Sequence, residues 1–110
     1  MEGGGTLDSH IDMYRVTMYD RAYRDLDGIY NYIANTLFEP GVALGIVTDI
    51  ETAILSLDTM PHRCPERKIG VYANKGYRQL FIGNYTAIFR IDENSKLVKI
   101  VTIRYSSSQF

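Results

Sequence analysis

Cysteine and histidine are nearly absent from this chain: Cys64, His10 and His62 are all it has. A single cysteine excludes an intramolecular disulfide, and one thiol with two imidazoles is a poor start for a structural zinc site. Long apolar runs are missing too. They extend for only a few residues, against about 20 for a bilayer-spanning helix. The start, Met1 to Asp12, is glycine-rich and polar, with no apolar segment of the kind a signal peptide carries. A soluble protein of the reducing cytoplasm is expected, with no membrane partner and with residues 1–12 as a flexible N-terminal arm. Cofactor motifs are also absent: there is no phosphate loop, no Gly-x-Ser-x-Gly, no paired metal-binding histidines and no Cys-x-x-Cys. Neither a cofactor nor a metal is therefore expected.

What is present fits one domain. A chain of 110 residues, 45% apolar and 23% charged, can bury one core and is too short for two, so residues 13–110 form a single unit. The net charge of −1 conceals a separation of sign. Residues 1–61 carry three arginines against ten acids, whereas residues 62–110 carry nine cations against three acids. Such asymmetry is the common consequence of solvated faces, or it marks a basic surface that meets nucleic acid or an acidic partner.

Met13 to Tyr19 is rich in aromatic, methionine and β-branched residues and reads as a first strand, with Asp20 capping a helix behind it. Ala22, Leu26, Ile29 and Ile33 then recur at helical spacing. Glu39-Pro40-Gly41 interrupts the pattern, and a second helix starts near Gly41 with the stripe Ile46, Ile50, Ile54 and Leu57, stopping before Met60-Pro61. Two helices so joined make an αα-hairpin. Pro61 to Lys75 is a turn-rich loop, with Ile69 to Tyr72 as a short candidate strand. Tyr77–Ile82, Tyr85–Asp92 and Leu97–Tyr105 read as three strands of an antiparallel meander, joined by Gly83-Asn84 and by Asp92 to Ser95. Strict alternation places Leu97, Lys99, Val101, Ile103 and Tyr105 on one face of the last strand, and Val98, Ile100, Thr102 and Arg104 on the other. The fold class is α+β: an N-terminal strand, an α-helical hairpin, then a three-stranded β-meander.

The chemistry available is a set of cations and tyrosines on the strands, including Arg78, Tyr85, Arg90, Arg104 and Tyr105. Arginine binds phosphate in bidentate fashion and stabilises the charge of a phosphoryl transition state, and tyrosine stacks on a base or donates a proton. Exposed strand arginines serve solubility more commonly. His62, beside Pro61 in a polar loop, is most simply a surface residue. Cys64 has Arg63 and Arg67 nearby to lower its pKa, but no evident base.

The order of these segments resembles the RelE/ParE superfamily of bacterial toxins from type II toxin–antitoxin systems. The resemblance rests on the run from Tyr14 to Ile33, the helix exit Ser56-Leu-Asp-Thr-Met-Pro61, Tyr77-Arg-Gln-Leu80 and Asn84-Tyr-Thr-Ala-Ile-Phe-Arg-Ile-Asp92. It implies a small cytoplasmic toxin neutralised by a cognate antitoxin, acidic and partly disordered alone, whose C-terminal segment wraps it. Apolar patches on the hairpin or the sheet edge would then be interface. It further implies one of two targets: ParE-like members poison DNA gyrase, and RelE-like members cleave mRNA in the ribosome without a metal. For a nuclease, the candidate catalytic residues are Arg78 and Arg90 on phosphate, Arg104 at the transition state, and Tyr105 stacking or transferring a proton. Two departures from the nuclease pattern stand out: Thr86 follows Tyr85 where a Tyr-Arg pair is common, and the chain runs into Ser106-Ser-Ser108 instead of further arginines. The wording Arg-x-Leu and Asn-Tyr-x-x-x-Phe-Arg-Ile leans towards ParE. The missing C-terminal cations also fit an attenuated, non-catalytic paralogue that only binds an antitoxin. A homodimer through the helix hairpin is compatible with the pattern but has no residue signature in it.

Overall fold

The computed structural model describes residues 13–110; the arm expected over residues 1–12 lies outside the described residues. Strand β1, Arg15–Met18, leads into helix α1, Asp20–Asn31. Tyr19 holds the N-cap position with no side-chain cap bond, and Asp20 is the first residue of the helix. The expected aspartate cap is therefore an acid in the first turn, where it meets the positive end of the helix dipole. One π-helical turn, Tyr32–Thr36, continues α1. The chain then reverses at Phe38, which adopts φ of 58°, and helix α2 runs from Pro40 to Leu55. Proline suits that first position because its missing N–H would have no partner there.

Both predicted helical stripes face inward. Ala22, Leu26, Ile50, Ile54 and Leu57 are buried in the main core, while Ile29 and Ile46 pack at its margin. A smaller cluster of Ile33, Ala34 and Ala43 closes the far end of the hairpin. The stretch Pro40–Asp58 has a mean hydropathy of 1.4 and is long and apolar enough to cross a membrane by composition. Here its inner side packs on α1 and the sheet, and its outer side leaves Val42, Leu44 and Leu55 exposed.

Strands β2 (Arg78–Ile82), β3 (Tyr85–Asp92) and β4 (Leu97–Tyr105) form the expected meander. β1 adds to it in parallel alongside β4, so the sheet is mixed, with order β1-β4-β3-β2. Residues Gly70–Tyr72 form a 3₁₀ turn, not the short strand expected at Ile69 to Tyr72. Gly70 enters that turn at φ of 77°, a left-handed conformation that breaks an extended run.

The alternation expected along β4 also fails at one point. Ile88 pairs with Thr102 and Phe89 with Ile100, which leaves Val101 as an extra residue without a partner on β3. A bulge of this kind resets the parity of the strand. Val98 and Ile100 face the core before it, and Ile103 faces the core after it. Phe89, fully buried at the register shift, is the largest side chain at the centre of the core.

Candidate functional site

The strands β1 and β4 differ in length by five residues, since β1 has 4 and β4 has 9. β1 ends in register with Ile100, so the edge of β4 beyond that point has no strand beside it. Helix α1 crosses this open edge, and Asp25 supplies the acceptor that a strand would otherwise supply. Its carboxylate accepts the Ile103 N–H at 3.0 Å and a short hydrogen bond from the Thr102 hydroxyl. Arg104 Nε donates to the same Thr102 oxygen at 3.0 Å.

A groove of about 790 Å³ opens between this edge and the helical hairpin. Its walls are apolar, from Ile29, Ile33, Leu37, Val42 and Ile46 on the hairpin. Its rim carries Tyr32, Tyr85 and Tyr105, and one end carries Arg24, Asp25 and Arg104. Tyr85 and Tyr105 face each other across the β3–β4 pair, edge to face, with ring centroids 5.6 Å apart. Burial raises the Tyr85 pKa, and the neighbouring phenols of Tyr105 and Tyr32 raise it further. Tyr85 is thus a protonated hydrogen-bond donor at neutral pH. The π-helical turn presents Tyr32 and Ile33 to the groove; such wide turns are frequent where helices meet ligands.

The outer face of the sheet is organised differently. The segment 106–110 folds back over it, and the Phe110 ring meets two guanidinium groups, Arg67 at 4.4 Å and Arg104 at 5.5 Å. Arg67 is buried and donates to Ile69 O, Gln79 Oε1 and Phe110 O. A third cluster sits at the opposite end of the sheet. Glu93 accepts from Tyr14 at 2.9 Å, contacts His62 Nε2 at 2.8 Å and pairs with Lys96 at 3.1 Å. These bonds, the Tyr14 hydroxyl first, hold the Glu93 carboxyl below its ordinary pKa.

Of the candidate residues, the structure brings Arg104 and Tyr105 together at the groove and leaves Arg78 and Arg90 elsewhere. Arg78 donates to the main-chain carbonyls of Cys64, at 2.6 Å, and His62, at 3.4 Å. Its row on the sheet is that of Phe89, whereas the row of Arg104 is that of Thr86. Three residues along and two strands across separate the two backbones by roughly 14 Å. Arg90 is exposed, opposite Lys99. Cys64 is buried, and desolvation raises its pKa against the pull of Arg63 and Arg78. The lowering expected from its basic neighbours is therefore outweighed. Asp25 and Phe110 were not singled out by the sequence; Asp25 meets Thr102 across 77 residues and Phe110 meets Arg67 across 43.

The family profile described as "ParE toxin of type II toxin-antitoxin system, parDE" matches residues 11–110. The chain belongs to this ParE toxin family. Among solved structures, this ParE-family chain is similar to one titled "Chromosomal ParDE TA system from P. aeruginosa", at 27% identity and TM-score 0.71, over 86% of this chain and 97% of that one. A toxin–antitoxin complex, RelBE2 from Mycobacterium tuberculosis, shares the fold at 22% identity and TM-score 0.57, over 87% and 94% of the two chains. No curated protein sequence gives a significant match. The α+β architecture and the toxin family expected from the sequence are thus both found.

Proposed function

We propose that this ParE-family toxin inhibits growth by acting on DNA gyrase in the cytoplasm, and that a cognate antitoxin silences it by laying an acidic amphipathic segment in the groove. The observation that carries the antitoxin site is the groove's composition: an apolar wall from two helices ends in Arg24 and Arg104, beside an Asp25 carboxylate already engaged by Thr102 and Ile103. An amphipathic segment fills such a wall with residues spaced three and four apart, and a carboxylate at its end meets the arginines. The solved ParDE and RelBE2 structures it resembles are toxin–antitoxin systems by title, which supports a partner of this kind.

The gyrase target is favoured by the scatter of the nuclease candidates. Arg78 is committed to two main-chain carbonyls, and it does not share a face with Arg104. A metal-independent nuclease needs its phosphate-binding and proton-transferring groups within reach of one phosphodiester. Arg104, Tyr105 and Tyr85 do lie together, and they support a second reading in which the groove cleaves ribosome-bound mRNA. An inert, antitoxin-binding paralogue is the third.

Gyrase supercoiling with added toxin, run beside a cell-free translation reaction mapped by primer extension, separates the three. Inhibited supercoiling with intact message is the expected result. Codon-positioned cuts that vanish in Arg104→Gln would replace it with the nuclease, and no effect in either assay would leave the inert paralogue.

A further inference from the structure

Arg104 joins the groove to the outer face. It lines the groove, and its guanidinium also lies over the Phe110 ring on the other side of the sheet. We propose that residues 106–110 form a releasable strap, and that its seating opposes occupancy of the groove by an acidic partner. This rests on the reading of the groove as the antitoxin site.

The strap is anchored at its two ends, with a solvated middle. At its root the Ser106 N–H donates to Asn84 O at 2.7 Å and its hydroxyl meets the Thr86 hydroxyl at 2.7 Å. At its tip Phe110 is buried, whereas Ser107, Ser108 and Gln109 are exposed. The seat for that tip is shaped in advance. Gly70 has no side chain and a φ of +77°, and a Cβ built there would lie 1.9 Å from the Phe110 carbonyl oxygen. Any other residue at position 70 would clash with the tip, so that the tip or the turn beneath it has to shift.

Coupling follows from the chemistry of the Arg104 guanidinium. Its attraction to the ring depends on an unscreened positive charge facing the π cloud. A carboxylate entering the groove neutralises that charge and weakens the stack. Conversely, a guanidinium no longer held by the ring turns towards the groove at lower cost. Thermodynamic reciprocity requires both effects to have the same magnitude. On the groove side, the link from Arg104 to Thr102 and on to Asp25 ties the same guanidinium to α1.

The experiment uses the full chain and its cognate antitoxin. Calorimetric affinity is measured for the parent, Gly70→Ala, Phe110→Leu and the groove variant Val42→Glu. Position 42 is exposed, so its substitution tests the groove without disturbing the core. Both strap variants should bind about fivefold more tightly than the parent. In the parent, antitoxin should speed hydrogen exchange at the Ser106 and Ser108 amides, which are bonded to Asn84 O and Tyr105 O. If Val42→Glu binds as the parent does, the groove reading fails and the coupling falls with it. If Val42→Glu weakens binding while both strap variants stay within about twofold of the parent, or bind less tightly, the groove stands and the coupling is refuted.

Discussion

The carboxylate of Asp25 does the work of a missing strand, and its removal gives a test with a definite size. Asp25→Ala leaves two donors without their acceptor: the Ile103 N–H, in a residue 2% exposed, and the Thr102 hydroxyl, in a residue fully buried. Orphaning a buried donor costs about 1–3 kcal/mol. The Thr102 hydroxyl can rotate towards another acceptor and the Ile103 amide cannot, so the pair together costs about 2–4 kcal/mol. Alanine returns roughly 0.5 kcal/mol through its better helix propensity. The net expectation is a loss of about 1.5–3.5 kcal/mol.

Urea unfolding followed by far-UV circular dichroism measures it. With a slope of about 1.5 kcal/mol per molar urea, the midpoint should fall by about 1–2 M. Asp25→Asn keeps an acceptor oxygen and loses only charge assistance, so it should cost about 1 kcal/mol. Thr102→Val removes one donor and leaves Ile103 bonded, and it should fall between parent and Asp25→Ala. If Asp25→Ala lies within about 0.5 kcal/mol of the parent, the β4 edge does not depend on α1 for its hydrogen bonding and the account of the site's construction is wrong.

Two further predictions test the core and the acid side of the stability profile. Phe89→Ala empties the centre of the core at the register shift and should destabilise by about 3–5 kcal/mol in the same assay, and a cost under about 1.5 kcal/mol would mean the core closes over the gap. Glu93 has a folded pKa held below its ordinary 4.5 by Tyr14 and Lys96, so the stability it contributes is complete above that ordinary value and is lost as pH falls through the depressed one. Urea midpoints should therefore hold from pH 7 to about 5 and decline below about 4.5, and Glu93→Gln should show a shallower decline; an equal decline in both would clear Glu93 of that role.

How much of this was legible in the sequence depends on how local each signal was. The helical stripes of Leu26, Ile50 and Ile54 were readable because a period of 3.6 repeats within one segment. The β2–β3 hairpin was readable because Gly83, at φ of 56°, is a residue type its turn requires. The extra residue at Val101 was not, since a bulge is set by what the neighbouring strand presents and leaves no mark on composition. For the same reason the parallel pairing of Arg15 to Met18 with Leu97 to Ile100 had no local trace. Arg104 and Tyr105 were visible as a cation and an aromatic on a strand. Their neighbours Asp25 and Phe110 were invisible as site residues, because each meets its partner only after the chain has closed on itself.

The site follows from one mismatch of lengths. β1 stops at Met18 because Asp20 already begins a helix, so the β4 edge past Ile100 has to be completed by something other than a strand. A helix lying across a strand edge cannot match it hydrogen bond for hydrogen bond, and a single carboxylate covers only Thr102 and Ile103. What remains uncovered is the space beside Arg104 and Tyr105, walled by the hairpin that the same helix belongs to. The groove also lies where the acidic first half of the chain meets the basic second half, with Arg24 and Asp25 from one and Arg104 from the other. Lengthening β1 by two residues would therefore do more than add hydrogen bonds. It would displace Asp25, close the edge and remove the groove, so a short first strand is a requirement of the groove and not a loss the fold merely tolerates.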